Sequence, residues 1–207
     1  MILMEDIKWL FFDVGSTLVD EHLAYEHRFQ DIAEAAGTSF EWVYQSAMSF
    51  YRQNKKGDLE TAKLLNVALT GWHTEDERLY EDAESCLKKL STRYKIGIIA
   101  NQLMGTRQRL EQHGVLPYID LIIASAEEGV SKPDLRIFEI ALQRSSCPPE
   151  QAVMIGDRMD NDILPAKSRG MRTVWIKQGF GKFWNVTREA ERPDRVVGSL
   201  TELCDIL

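Results

Sequence analysis

The chain has 207 residues, 44% of them hydrophobic and 28% charged, enough to bury a core and to hold one domain plus a sizeable insertion. A formal charge of −7 at pH 7 opposes long-range attraction to nucleic acid or an anionic membrane, and no run of about 18 apolar residues is present to span a bilayer. Residues 1–6 have neither the basic start nor the cleavage site of an export signal, so a soluble, cytoplasmic protein is expected, and Cys86, Cys147 and Cys204 are too scattered to imply a disulfide framework or a zinc site.

In chain order, the first apolar run, Ile7-Lys8-Trp9-Leu10-Phe11-Phe12, delivers Asp13 into a loop of small and hydroxyl-bearing residues, Val14-Gly15-Ser16-Thr17. Taken alone, an Asp in that place also serves simply to cap a turn or helix. From about residue 21 to residue 74 the pattern is helical. Tyr25, Phe29, Ile32 and Ala36 share one face of a first helix, which Gly37 ends as a left-handed cap. Thr38 and Glu41 have capping-box spacing for a second helix carrying Trp42, Val43, Ala47, Phe50 and Tyr51, and residues 59–69 read as a third. Thr74 and Glu77 suggest another capping box, opening a helix that runs to Leu90.

Beyond it the pattern alternates between strands at 95–100, 119–124, 152–155, 172–176 and 195–197 and helices at 106–113, 134–144, 161–169 and 199–207. Residues 177–194 show no period and read as an irregular loop, with Phe183 and Trp184 as local packing or a contact surface. Continuous apolar strands alternating with helices predict an α/β fold, a Rossmann-like three-layer sandwich whose parallel sheet is covered on both faces. The helical stretch lies between the first and second strands. It reads as a small all-helical cap inserted over the carboxyl ends of the strands, where open parallel sheets bind ligands. The expected division is a core of residues 1–18 and 85–207 with a cap of residues 19–84.

On a parallel sheet, Asp13, Asn101 and Asp157 with Asp162 reach the same edge from different strands, and Lys132 comes from the loop beyond the third. Strand-end carboxylates facing one another repel unless a cation compensates them. Magnesium beside a lysine supplies that compensation, taking a few carboxylate oxygens, a carbonyl, waters and a phosphate oxygen.

These motifs resemble those of the haloacid dehalogenase-like (HAD) hydrolase superfamily with a helical cap inserted after the first motif. The resemblance spans nearly the whole chain: Asp13-Val14-Gly15-Ser16-Thr17, Ile98-Ile99-Ala100-Asn101, Lys132-Pro133, and Gly156-Asp157-Arg158-Met159-Asp160-Asn161-Asp162, the last being the most specific. It implies a magnesium-dependent hydrolase acting on a small phosphorylated metabolite, with Asp13 as the nucleophile that becomes an aspartyl phosphate. By the same resemblance Asp13, Asp157, Asp162 and the backbone carbonyl of Gly15 would serve the metal. Lys132 would balance charge on Asp13 and the phosphoryl oxygens, and Ser16, Thr17 and Asn101 would help Lys132 hold the phosphate. No nucleic acid or membrane partner is implied, and the assembly is expected to be a monomer or homodimer.

Two positions depart from the family's phosphatase pattern. The second Asp, which protonates the leaving alcohol and activates water, is replaced by Gly15, removing a step commonly worth about 10²–10⁴-fold. A hydroxyl residue of the second motif is Ala100, removing a phosphate contact worth about 1.5–3 kcal/mol. Slow or specialised turnover is expected unless another group substitutes, and Glu21, His22 and His27 on the cap side are the candidates. The alternatives are a phosphate-binding or regulatory protein with little catalysis, or a hydrolase of halide or phosphonate leaving groups. The phosphonate chemistry would require a Schiff-base lysine such as Lys55, Lys56 or Lys63.

Overall fold

The computed structural model describes residues 6–207, so the reading made for residues 1–5 lies outside it. Its strands are β1 (Trp9–Phe12), β2 (Val19–Asp20), β3 (Arg78–Leu79), β4 (Lys95–Ala100), β5 (Leu121–Ala124), β6 (Ala152–Gly156), β7 (Arg172–Ile176) and β8 (Arg195–Val197). Six of them form one parallel sheet in the order β5-β4-β1-β6-β7-β8, while β2 and β3 pair antiparallel on their own. The helices are α1 (His22–Ala36), α2 (Phe40–Tyr51), α3 (Gly57–Leu64), α4 (Ala83–Leu90), α5 (Thr106–Gln112), α6 (Ser125–Glu128), α7 (Leu135–Ser145), α8 (Leu164–Ser168) and α9 (Leu200–Ile206).

The strand period of two accounts for the layers. Leu10 and Phe12 of β1 pack with Ile96, Ile98, Val153 and Ile155 against Leu87 of α4 and Leu203 of α9. Phe11, between them, points to the opposite face, where Ile99 and Met154 meet Ile137, Phe138 and Ala141 of α7. Burial on both faces is why these strands read as unbroken apolar runs. The chain runs outward from β1 through β4 to β5, then returns to β6 on the other side of β1. The strand order therefore reverses around β1, the place where such sheets open a crevice at their carboxyl edge.

Helices α1, α2 and α3 bury a cluster of their own, with Phe29, Ile32, Val43, Ala47, Met48 and Tyr51 at its centre. The loop after β7 contributes to it. Phe180 stacks on Tyr51 with ring centroids 4.6 Å apart and meets Tyr25 and Phe29 edge-on, and Phe183 packs against the same cluster. Trp184 instead packs against the Met159, Ile163 and Trp175 cluster. Phe180, Phe183 and Trp184 of that loop thus all have local packing partners.

Several expected boundaries shift. The N-cap of α2 is Ser39, whose hydroxyl accepts from the Trp42 amide, one residue later than the Thr38 capping box would place it. The third helix begins at Gly57 and ends at Leu64, before a left-handed Asn66, so residues 65–73 are not helical. Thr74 opens a single 3-10 turn and not a helix to Leu90, because Arg78–Leu79 pairs with Val19–Asp20 before α4 begins at Ala83. The expected helix over 161–169 is a π-helical turn, Met159–Ile163, leading into the short α8; such turns concentrate at functional sites.

Candidate active site

Asp13, Asn101 and Asp157 are each the first residue beyond a strand, after β1, β4 and β6. The register sets Phe12 beside both Ile98 and Ile155, and the Asp13 amide donates to the Ile155 carbonyl at 2.9 Å. Asp162 comes from the π-helical turn. Its Oδ2 accepts from the Arg158 amide at 2.9 Å, folding the carboxylate back beneath Gly156. A Cβ on Gly156 would lie 2.4 Å from that oxygen, which is why the strand ends in glycine.

Carboxylate oxygens of Asp13, Asp157 and Asp162 all lie within 4.8 Å of one another. Lys132, 3% exposed, reaches into the group from the loop before α7, with Nζ 2.8 Å from Asp13 Oδ1 and 2.5 Å from Asp162 Oδ1. Burial alone would depress the Lys132 ammonium, but Asp13 and Asp162 outweigh it and hold its pKa above the ordinary value. Burial, then Asp162 and Asp13, push Asp157 well above the usual carboxylate range. Asp162 is pushed up to about 6 by burial, with Lys132 opposing. Three carboxylates thus gather in a poorly solvated crevice where Lys132 pairs with two of them, a donor set of hard oxygens short of positive charge.

The other expected contacts are placed differently. The Asn101 carboxamide is committed to the Lys132 backbone: its Nδ2 donates to the carbonyl at 2.9 Å and its Oδ1 accepts from the amide at 2.7 Å. It positions the lysine, and the second hydrogen of its Nδ2 stays available beside the cavity that Asn101 lines. Thr17 is fully buried and its hydroxyl has no partner, which removes it from the surface a substrate could touch. Ser16, at φ 53°, lines the cavity over Asp13, but its hydroxyl donates to Glu21 Oε2 at 2.8 Å.

Of the cap-side candidates, only Glu21 comes to Gly15. A Cβ built on Gly15 would stand 2.4 Å from Glu21 Oε1 and 2.8 Å from Oε2, so the carboxyl fills the space a side chain at position 15 would occupy. Burial pushes the Glu21 carboxyl up to about 8, opposed by the Ser16 hydroxyl and reinforced by Asp13, Glu77 and Asp20. His22 pairs with Glu26 at 3.3 Å on the exposed side of α1, and His27 faces Asp76 at 2.5 Å. The sequence names Glu21 beside His22 and His27 without choosing among them, because a glutamate at a helix start is usually exposed. The missing signal is the bend of residues 14–20, where Gly15 bridges to Val19 and turns the chain back over Asp13.

Two cavities meet at this point. A small one of about 150 Å³ lies over Asp13, Gly15, Lys132 and Asp157. A larger one of about 710 Å³ opens between the helical unit and the sheet edge, lined by Tyr25, Arg28, Trp72, Gln102 and Leu103 among others. Arg28 lies over the Trp72 ring at 4.6 Å and is held by Asp58 at 3.1 Å.

Fold and crevice together define a HAD-type hydrolase, and the chain belongs to the haloacid dehalogenase-like superfamily. A HAD-hydrolase-like family model matches residues 129–203, the segment that carries Lys132, Asp157 and Asp162. More specifically, it is a phosphatase-like member. It is 31% identical over 209 residues to pyrimidine 5′-nucleotidase YjjG of Escherichia coli, covering 86% of this chain and 93% of that protein. It is 26% identical to the glyceraldehyde 3-phosphate phosphatase of Pyrococcus furiosus, covering 99% of this chain and 94% of that one. The crystal structure of a HAD phosphatase from Thermococcus onnurineus superposes with a TM-score of 0.64 at 26% identity, covering 97% of each chain. No helix among the described residues is long and apolar enough to cross a membrane.

Proposed function

We propose that this protein is a magnesium-dependent phosphatase of a small phosphorylated metabolite, working through an aspartyl phosphate on Asp13. The observation that carries the reading is the grouping of Asp13, Asp157 and Asp162 within 4.8 Å around a single buried ammonium, Lys132. The donors fit the ion: all are carboxylate oxygens, and the described residues give the Asp157 carboxylate no hydrogen-bond donor of its own. Asp13, Asp157, the Gly15 carbonyl and, directly or through water, Asp162 would hold magnesium, which supplies charge stabilisation to the phosphoryl oxygens.

In this reading the small cavity takes the phosphoryl group and the larger one the remainder of the substrate. The latter lies within the roughly 300–1,000 Å³ typical of small-molecule sites. Asp13, 14% exposed on its side chain, attacks phosphorus, and Lys132 orients the attacking carboxylate. Asn101 fixes the Lys132 backbone and so the ammonium. The nucleotidase and sugar-phosphate phosphatase activities named for the relatives support a phosphomonoester as substrate. The β2–β3 pair supports placing the two joints between core and cap at Val19–Asp20 and Arg78–Leu79. The test is phosphate release from 4-nitrophenyl phosphate with magnesium and with chelator, in wild type and Asp13→Asn. Release that needs magnesium and vanishes in the variant is expected, and equal release in the two proteins would overturn the assignment.

A further inference from the structure

We infer that Glu21 is the catalytic acid and base of this site, standing in from the start of the cap for the side chain that Gly15 lacks. The inference rests on the phosphatase reading above and concerns a step that reading leaves without an agent.

In a phosphoryl transfer to Asp13, the phosphoryl group occupies the small cavity and the leaving group the large one, so the bond that breaks spans their junction. Glu21, Tyr25, Asn101, Gln102 and Arg158 line both cavities. Asn101 and Gln102 are amides, the first tied to Lys132 and the second accepting from Arg109 at 2.9 Å. Arg158 is a permanent cation clamped by two bonds to Asp160, at 2.9 and 2.6 Å. Tyr25 is a phenol, a weak acid whose ring is wedged edge-on between Trp72 and Phe180. Only Glu21 combines a place at the junction with a group that both gives and takes a proton in ordinary acid–base catalysis. Its carboxyl lies where a residue-15 side chain would end, 2.4 Å from the Cβ that Gly15 does not have. The Ser16 hydroxyl donates to Oε2 at 2.8 Å, leaving Oε1 for the substrate.

The chemistry balances without a further reactant. An Asp13 carboxylate oxygen bonds to phosphorus as the bond to the leaving oxygen breaks. That oxygen keeps the electron pair and takes the proton from Glu21, giving a free alcohol and a Glu21 carboxylate. Water then donates a proton to Glu21 as its oxygen bonds to phosphorus. The bond to Asp13 breaks with its electrons returning to the carboxylate, releasing phosphate and restoring protonated Glu21.

The test measures kcat/KM for a series of substituted phenyl phosphates of graded leaving-group acidity, with magnesium, in wild type, Glu21→Gln and Asp13→Asn. A proton donor flattens the dependence on the leaving group. Glu21→Gln should therefore lose about 10²–10⁴-fold on the poorest leaving groups, far less on the best, and accumulate phosphoenzyme in rapid-quench samples because water activation is also lost. Gly15→Asp alone should bring no gain, since the space is already filled, whereas Gly15→Asp combined with Glu21→Ala should restore the shallow dependence. The double variant also decides the matter if Glu21→Gln folds poorly. An unchanged slope in Glu21→Gln, with activity still lost in Asp13→Asn, would overturn the role of Glu21 and leave the phosphatase reading standing. Equal activity in wild type and Asp13→Asn would overturn both.

Discussion

Replacing Lys132 by Met removes the one ammonium that faces Asp13 and Asp162, at 2.8 and 2.5 Å, while keeping the length of the side chain. Asp157 lies in the same group, and the Arg158 guanidinium is already bound to Asp160. The variant therefore leaves Asp13 and the fully buried Asp162 without the counter-charge that faces them. Breaking a buried pair from one side costs about 3–5 kcal/mol, because the remaining charge is left unpaired and unsolvated. At roughly 2–4 °C per kcal/mol for a chain of this size, melting should fall by roughly 6–20 °C in buffer containing chelator. Adding Asp162→Asn to Lys132→Met should recover a large part of the loss, since the second change removes one of the orphaned charges. Denaturant titration of the four proteins of this cycle measures both effects. A loss below about 1 kcal/mol for Lys132→Met, the value of an exposed pair, would refute the picture of a dry cluster dependent on one lysine.

Other expectations follow from the same geometry. Gly156→Ala places a methyl against the Asp162 carboxylate and its Cβ, at 2.4 and 2.6 Å, and should destabilise by about 1–3 kcal/mol in a thermal melt while weakening magnesium binding in calorimetry. Phe180→Ala empties the centre of the helical cluster. It should cost less than the ~3–5 kcal/mol of a fully enclosed ring because Phe180 is partly exposed, and limited proteolysis should then favour residues 22–64. The Thr70 hydroxyl, then His73, hold the Asp31 carboxyl below its ordinary 3.8, and Asp31 holds the His73 imidazole above 6.5. The His73 contribution is complete below 6.5 and fades as pH rises through the folded value; that of Asp31 is complete above 3.8 and fades as pH falls through its own. Melting temperature against pH should show the fade on the alkaline side in wild type and lose it in His73→Gln.

The parallel sheet was legible because strands buried on both faces leave unbroken apolar runs, and the first residues beyond β1, β4 and β6 could then be placed on one edge without knowing any contact. Lys132, Asp157 and Asp162 follow from the same reasoning together with the motif spacing. What escaped depends on contacts between segments distant in sequence, or on elements too short to show a period. The strands β2 and β3 have two residues each, and their pairing interrupts what reads as one helix from Thr74 to Leu90. Asn101 carries an amide that suits an anion as well as a backbone, and its two bonds to the Lys132 peptide join segments 31 residues apart that no local pattern connects. Ser39 and Thr38 are adjacent hydroxyl residues, either of which can cap, and the turn at Gly37 selects the later one.

Phe180 is a ring that the sheet lends to the helices. Cut free of its partner, the three-helix segment would be left with a hollow among Tyr25, Phe29 and Tyr51, and a hybrid that grafts it onto a foreign scaffold would inherit that hollow unless an aromatic were supplied at the same point. Swinging the two halves apart to admit or discharge a molecule likewise requires either that the ring withdraw or that the loop bearing it travel along. Opening the crevice and keeping the helical segment filled are thereby coupled through the loop that carries Phe180 and Phe183.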